Sequence, residues 1–541
     1  MSSESEPIAG IPSSASELAL SMFEMPAQLN LSTKPVCSPF DEQMGEYRLA
    51  VEDFRWHQLT DGPFEGDWTR GLWGGEMYQE RRSCVAGRAD DMLTTTVLKL
   101  PPSLALDQFA ALFRLTWIRA RFEHPSIAMT IHTDMLPISV LPSLVYHPVP
   151  SFADVSAWAD TSFVLHVPDT YEECALNLSA RVERLRKQLI QWELPVNQCA
   201  KYMHIVFSDR AEDQQRIAII VHSAHTISDA HSEMMVLRKQ LGWLAEYVAL
   251  PYPLPETDPL HPANLAWGEE MTRLPPCLHE LLGVDIDVFD EDKAVQTSGK
   301  AFLGHSLRLD LGRPIGNGLC DTMRTSMVFS VEETKSIQRA CKAKSYTMTQ
   351  IVDAARHLAY IDARRGYLEN VPFIYETLHT NFLMPIDMRH MFIDAYDKYN
   401  FAGNATGGFT TIMGLREPYF VPASKERLTH FWRHTRDLDQ VRVLCKVTDM
   451  LVPRYRDSAS EMQDVLEGLT ALLVKGGLLS QDYPWTQLAP EGFSSVGVVE
   501  RTLPHAYPLP GHKVPITVQD WDIALTMSRH VSSLQFSFHI L

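Results

Sequence analysis

Residues Arg216–Ser232, RIAIIVHSAHTISDAHS, decide how the rest of the chain is read. The continuous apolar, β-branched run at their start predicts a strand. An amphipathic helix is expected from about Ser228 to Val248. Between the two lies His225-Thr-Ile-Ser-Asp229, on a tight strand-to-helix connection. A backbone frame there can fix one imidazole nitrogen in a cleft. As a bare pattern His-x-x-x-Asp is weak, because chance supplies about one copy in a chain of this composition. The sequence holds three: His57/Asp61, His225/Asp229 and His390/Asp394. His57 lies in an irregular aromatic segment and His390 follows a Pro-x-Asp-x-Arg stretch, so context favours His225. From the residues alone, His225 is either a catalytic imidazole or a histidine that closes a buried strand end. Metal binding by His222, His225, Asp229 and His231 is a further reading. However, His222 is still on the strand, where side chains alternate faces, and the spacing matches no usual closed zinc set. No metal is expected.

Working outward, Leu93–Leu100, 127–133, 143–149 and 201–208 read as strands, and 105–123 and Tyr171–Trp192 as helices. Residues 46–82 carry Trp56, Trp68 and Trp73 with little periodicity. They read as an irregular surface arm or as an aromatic wall near a ligand. PYPLPETDPLHP (251–262) has five prolines in twelve positions and predicts a stiff connection. The second half repeats the mixture. Strands are expected at 324–331, 373–384, 408–413, 493–500, 514–521 and 534–540, and helices at 332–344, 348–365, 423–444 and 458–475. The expected organisation is a loose tail (1–45), a first unit (46–250), a linker or crossover (251–322) and a second unit (323–541).

Composition removes several classes. Acidic residues outnumber basic ones 67 to 48, for a formal net charge of −19 over 541 residues. Such a surface repels phosphate backbones and anionic lipid, so neither nucleic acid nor membrane is expected as a partner. The eight cysteines come no closer than 21 residues, which excludes CxxC sites and a dense disulfide framework. Residues 1–17 lack the basic start and apolar core of a signal peptide, and no apolar run approaches the about 20 residues of a membrane span. A soluble, cytoplasmic location is expected. The sequence has no Gly-x-Gly-x-x-Gly after a strand, no Walker loop, no Gly-x-Ser-x-Gly elbow and no His-Glu-x-x-His. Nucleotide-cofactor oxidoreductases, NTPases, ordinary serine hydrolases and zincins therefore lose support.

The remaining motifs resemble the CoA-dependent acyltransferase superfamily of chloramphenicol acetyltransferase, peptide-synthetase condensation domains and plant-type alcohol acyltransferases. Its signature is His-x-x-x-Asp-Gly at a strand end, often preceded by a second His. His225 and Asp229 match, while Ala224 stands at the optional His and Ala230 at the Gly. TMTQIVDAARHLA (347–359) is similar to the Thr-led helix opening the family's second subdomain. NFLMPIDMR (381–389) resembles its Pro-x-x-x-Arg motif and FAGNATGG (401–408) its Gly-Asn motif. FSSVGVVE (493–500) resembles its Ser-Asn-x-Gly strand, with Ser495 in place of Asn. The Asp-Phe-Gly-Trp-Gly signature of the plant-type branch is absent. The resemblance spans roughly residues 90–541. With WGEEMTRLPP (267–276) after the connection, it is closest to fungal trichothecene 15-O-acetyltransferases.

The resemblance implies an α/β fold of two chloramphenicol-acetyltransferase-like subdomains, each a mixed sheet with helices, forming a V around the active site. It implies an acetyl-CoA:alcohol O-acetyltransferase acting on a trichothecene-like terpenoid or another secondary metabolite. Acetyl-CoA is then a co-substrate, with no bound cofactor. His225 becomes the general base, and Asp229 a structural residue paired with Arg389. Ser494 or Ser495 becomes an oxyanion donor, unless these hydroxyls only satisfy strand ends. Arg454 and Arg456 are candidates for the CoA phosphates, against a reading as solvated charge. Two alternatives differ in class: a condensation-like enzyme using a carrier-bound thioester, and a non-catalytic binding protein of the same fold, suggested by Ala230. The expected partners are an acyl-CoA and a small alcohol, and the expected state is a monomer.

Overall fold

A computed structural model of the chain describes residues 51–72, 74–85, 91–133, 142–283, 327–349, 351–352, 355–356, 359, 379–414, 491–525 and 536–540. The fold is α/β, with helices on mixed sheets. The first mixed sheet has the spatial order β12 (Ala506–Tyr507), β13 (Ile516–Leu525), β3 (Met92–Lys99), β8 (Arg216–Ser223), β7 (Lys201–Val206), β6 (Phe163–His166). The second has the order β10 (Thr406–Gly414), β9 (His379–Asp387), β11 (Glu491–Val498), β14 (Phe536–Ile540). A small antiparallel sheet is ordered β1 (His57–Gln58), β2 (Trp68–Gly71), β5 (Ser143–Tyr146), β4 (Thr130–His132). The helices used below are α1 (Gly74–Val85), α2 (Leu106–Glu123), α3 (Leu178–Gln191), α4 (Ala230–Val248) and α5 (Val331–Ala343).

The unbroken apolar run of β8 has a packing cause. Ile217, Ile219 and Val221 face α2 and α4 in one core, with Phe109, Phe113, Trp117, Leu241 and Leu244. Ala218 and Ile220 face α3 on the opposite side, against Val182, Leu185 and Leu189. A strand covered on both faces has no polar side to alternate with.

Three expectations are corrected by local chemistry. The predicted helix Tyr171–Trp192 is broken, because Thr170 caps a short turn (Tyr171–Cys174) and Asn177 then caps α3 separately. The Asn177 side chain accepts from the Ala180 amide at 2.9 Å, an N-cap that starts a new helix axis. Met327–Ser330, expected within a strand, has no regular structure, and Val331 already belongs to α5. There Ser330 and Glu333 form a reciprocal capping box, with bonds of 3.2 and 2.8 Å, which prevails over the β-propensity of the preceding residues. Ser330→Ala should therefore lower stability by about 1 kcal/mol, read as a lower urea midpoint at unchanged slope.

The third correction concerns the aromatic segment. It forms β1, β2 and α1, with β2 paired to β5 from Trp68↔Tyr146 to Gly71↔Ser143. Buried Arg70 makes two 2.7 Å bonds to Glu76 and lies over the Trp56 ring. Strand pairing across more than seventy residues leaves no local periodicity to read. Trp73, the tail 1–45 and the helices expected at 423–444 and 458–475 lie outside the described residues.

The chain order also crosses over. β13, from the far end of the chain, lies antiparallel to β3 through Asp522↔Thr95 and its neighbours. Asp522 accepts from Arg186 of α3 at 2.7 Å in a buried ion pair. The proline-rich stretch is likewise packed on the body rather than free. Leu254 lies in the main core, and buried Glu270 accepts from the Tyr146 hydroxyl and the Val149 amide at 2.9 and 3.0 Å.

Candidate active site

β8 ends at Ser223 and α4 begins at Ala230, leaving six residues to turn the chain around. Asp229 is the N-cap of α4, and its Oδ1 accepts from the Ser232 amide at 2.8 Å. This satisfies a free donor of the first helical turn and sets the end of the loop. Within it, His225 Nδ1 lies 2.9 Å from the Ser228 carbonyl oxygen. A carbonyl only accepts, so Nδ1 carries a proton, and in the neutral ring the lone pair then lies on Nε2. His225 is half-buried. The imidazole is thus held through Nδ1, which fixes the tautomer of its neutral form.

Arg389, just past β9, clamps Asp229 from the second sheet. Its Nη1 and Nη2 each lie 3.0 Å from one Asp229 oxygen, a bidentate pair with both residues buried. Arg389 also donates to Asp387 at 2.9 Å, to Ser232 Oγ at 2.7 Å and to the Gly403 carbonyl at 2.9 Å. The Ala405 amide donates to Asp229 Oδ2 at 2.8 Å. Burial opposes ionisation of Asp229, but the adjacent guanidinium more than offsets it and holds the carboxyl well below the usual range. Burial would likewise lower Arg389, and Asp229 with Asp387 raises it instead. Both Asp229 oxygens are engaged with the frame, which ties the turn to Arg389 and the Ala405 amide.

Four further residues around this turn were given no role from the sequence. Asn404 Nδ2 donates to the His225 carbonyl at 2.7 Å, and its Oδ1 accepts from the Thr406 amide at 2.9 Å. Thr226 Oγ1 donates to buried Glu80 of α1 at 2.9 Å. Ser232 joins Arg389 to the Gly403 carbonyl. Asn404 had a signal in FAGNATGG, and Ser232 lies in the decisive stretch. Glu80 had none, since its partner is 146 residues away.

The other candidates fall elsewhere. His57, Asp61, His390 and Asp394 are exposed, so neither competing His-x-x-x-Asp has a buried anchor. His222 is fully buried and meets Trp192 edge-on at 5.7 Å. Among the described residues, no group of three or more His, Cys, Asp or Glu is arranged to hold a metal ion. Ser494 and Ser495 are consecutive on β11 and so point to opposite faces, which leaves room for one oxyanion donor at most. The Ser495 hydroxyl is 2.9 Å from that of Thr349. Arg454 and Arg456 lie outside the described residues. No helix among the described residues is long and apolar enough to cross a membrane.

Comparison with known proteins locates this arrangement. A family model described as 15-O-acetyltransferase Tri3 matches residues 82–373, more than half of the chain. The sequence is 24% identical over 319 residues to trichothecene 15-O-acetyltransferase TRI3 of Fusarium sporotrichioides, covering 53% of this chain and 57% of that protein. It is also 24% identical over 358 residues to SAT12 of Stachybotrys chartarum, named as a 15-O-acetyltransferase, covering 63% and 58%. The matched stretches therefore span less than two-thirds of either relative. The solved structure of F. sporotrichioides TRI3 superposes with a TM-score of 0.70 at 17% identity, over 91% of this chain and 92% of that one. A starter condensation domain of rhizomide synthetase, solved with C8-CoA, superposes with a TM-score of 0.51 at 10% identity, over 87% and 85%. At these identities the structural likeness concerns the fold.

Proposed function

The chain belongs to the Tri3 15-O-acetyltransferase family, and from that premise we propose that it transfers an acetyl group from acetyl-CoA to a hydroxyl of a trichothecene-like terpenoid. The observation that carries the reading is the imidazole of His225, whose Nδ1–H is taken by the Ser228 carbonyl. A neutral alcohol is a poor nucleophile and needs a base in hydrogen-bond reach as it attacks. In the proposed step Nε2 takes the hydroxyl proton while the alcohol oxygen bonds to the thioester carbonyl carbon. The tetrahedral intermediate then expels CoA thiolate, which receives that proton back from the imidazolium. A C–O bond forms, a C–S bond breaks and the histidine returns to its starting state. A hydroxyl from Ser494 or Ser495 is proposed to meet the developing oxyanion. The organisation proposed for this task pairs a first unit, 46–250, carrying the base with a second, 323–541, carrying Arg389 and the serines, whose β12 and β13 cross back onto the first unit's sheet.

The test is CoA release from acetyl-CoA with a panel of hydroxylated trichothecenes and other sesquiterpenoids. Release that depends on the alcohol, with the acetyl ester identified by mass spectrometry, is the expected result. Release with none of the panel from acetyl-CoA, but ester formation from a carrier-bound thioester, would overturn the choice of donor. Asn404 holds the histidine only by its backbone carbonyl, so Asn404→Ala should lower kcat by roughly tenfold, about 1.4 kcal/mol. KM for either substrate should change little. A variant with wild-type kcat would show that the carbonyl contact is dispensable.

A further inference from the structure

Beneath the histidine turn lies a buried ion pair. Lys201, the first residue of β7, and Glu233, in the first turn of α4, are 1% and 4% exposed, with Nζ 3.0 Å from Oε1. Two hydroxyls reach the same carboxylate oxygen: Ser228 Oγ at 2.5 Å and Ser223 Oγ at 3.1 Å. Lys201 Nζ also donates to Ser228 Oγ at 3.0 Å. Lys201 and Ser223 are register partners across β7 and β8, so two strands and a helix converge on one oxygen. Ser228 links this group to His225. Its side chain is bound by the ion pair, while its backbone carbonyl takes the Nδ1–H of the imidazole.

Stability alone gives a weak reason for such a pair. Desolvation of both charges opposes their attraction, and replacing a buried pair by apolar side chains of similar volume is often close to neutral for stability. Position is what the pair supplies. A displacement of about 1 Å at a reacting group costs on the order of a hundredfold in rate, and Ser228 is the residue whose carbonyl sets both the tilt and the tautomer of the imidazole. We propose that Lys201 and Glu233 are positioning residues for His225, acting through Ser228. The proposal rests on the reading of His225 as the base.

The test is the double variant Lys201→Met/Glu233→Met, which removes both charges together and keeps the volume. The expected result is a folded protein with a modestly lower urea midpoint, since the buried Ser223 and Ser228 hydroxyls lose their acceptor, unchanged KM for acetyl-CoA and alcohol, and a kcat lower by roughly ten- to a hundredfold. A purely structural pair would instead leave kcat at the wild-type value once the fold is intact. A second readout needs no turnover: ring 15N resonances of histidine-labelled protein, with His225 assigned by its loss in His225→Ala. Wild type should show one Nδ1–H tautomer and the double variant a mixture. If wild type transfers no acetyl group, the proposed function fails and the tautomer alone decides the positioning role. An unchanged tautomer in a folded double variant overturns that role. If the double variant does not fold, Ser228→Ala takes its place, removing the link and leaving the ion pair, with the same expected and contrary results.

Discussion

His225→Ala is expected to lower kcat for acetyl transfer at least a hundredfold, a loss of about 2.7 kcal/mol of transition-state stabilisation. Among the described residues the imidazole makes one hydrogen bond, to the Ser228 carbonyl, and its half-buried ring is not part of the large apolar clusters. The fold should therefore survive the substitution, with a urea midpoint close to wild type. Binding of either substrate should also change little, because Nε2 acts on the hydroxyl proton as the new bond forms. The kinetic pattern to look for is a fall in kcat and kcat/KM together with little movement in KM. Thiol detection of released CoA measures it. A variant with an unaltered rate would remove His225 from the mechanism, and neither His57 nor His390 has the buried anchor to replace it.

Asp229→Ala should fail in a different way. It leaves the Arg389 guanidinium buried without its bidentate partner, and breaking a buried pair from one side costs about 3–5 kcal/mol. It also removes the cap of α4. Lower folded yield and a lower urea midpoint should accompany the loss of activity. An inactive variant with wild-type stability would instead mean that the carboxylate takes part in the chemistry. The pH dependence has a definite sign. Despite burial, Arg389 depresses the folded-state pKa of Asp229 below the unfolded value of about 3.9. The carboxylate thus contributes its full stability above that value and loses it as pH falls through the lower folded value. The stability gap between wild type and Asp229→Ala should narrow as pH drops from neutral to about 3, and urea titrations along that series measure it.

The strand, turn and helix around His225 were legible because each signal is local. An unbroken apolar run marks a strand with two covered faces, and Asp229 stands where a helix needs an acceptor for its first amides. The ordered motifs on either side pointed to the acyltransferase fold, and the comparisons bear out both that fold and the family. The same local logic misread Tyr171–Trp192 as one helix, because a cap in mid-run competes with periodicity. It found no structure around Trp56, because β2 owes its order to β5.

By itself, then, the sequence determined the strand, turn and helix around His225 and the family. These depend on residue type and spacing over a few turns of chain. Only the tertiary structure decided what surrounds that turn: Asn404 on the His225 carbonyl, Glu80 on Thr226, the Lys201–Glu233 pair beneath Ser228, and β13 beside β3. Those contacts join residues up to 179 positions apart at the turn itself. They form because packing buries polar groups that must then find partners, and partners supplied by chain closure leave no period in the sequence.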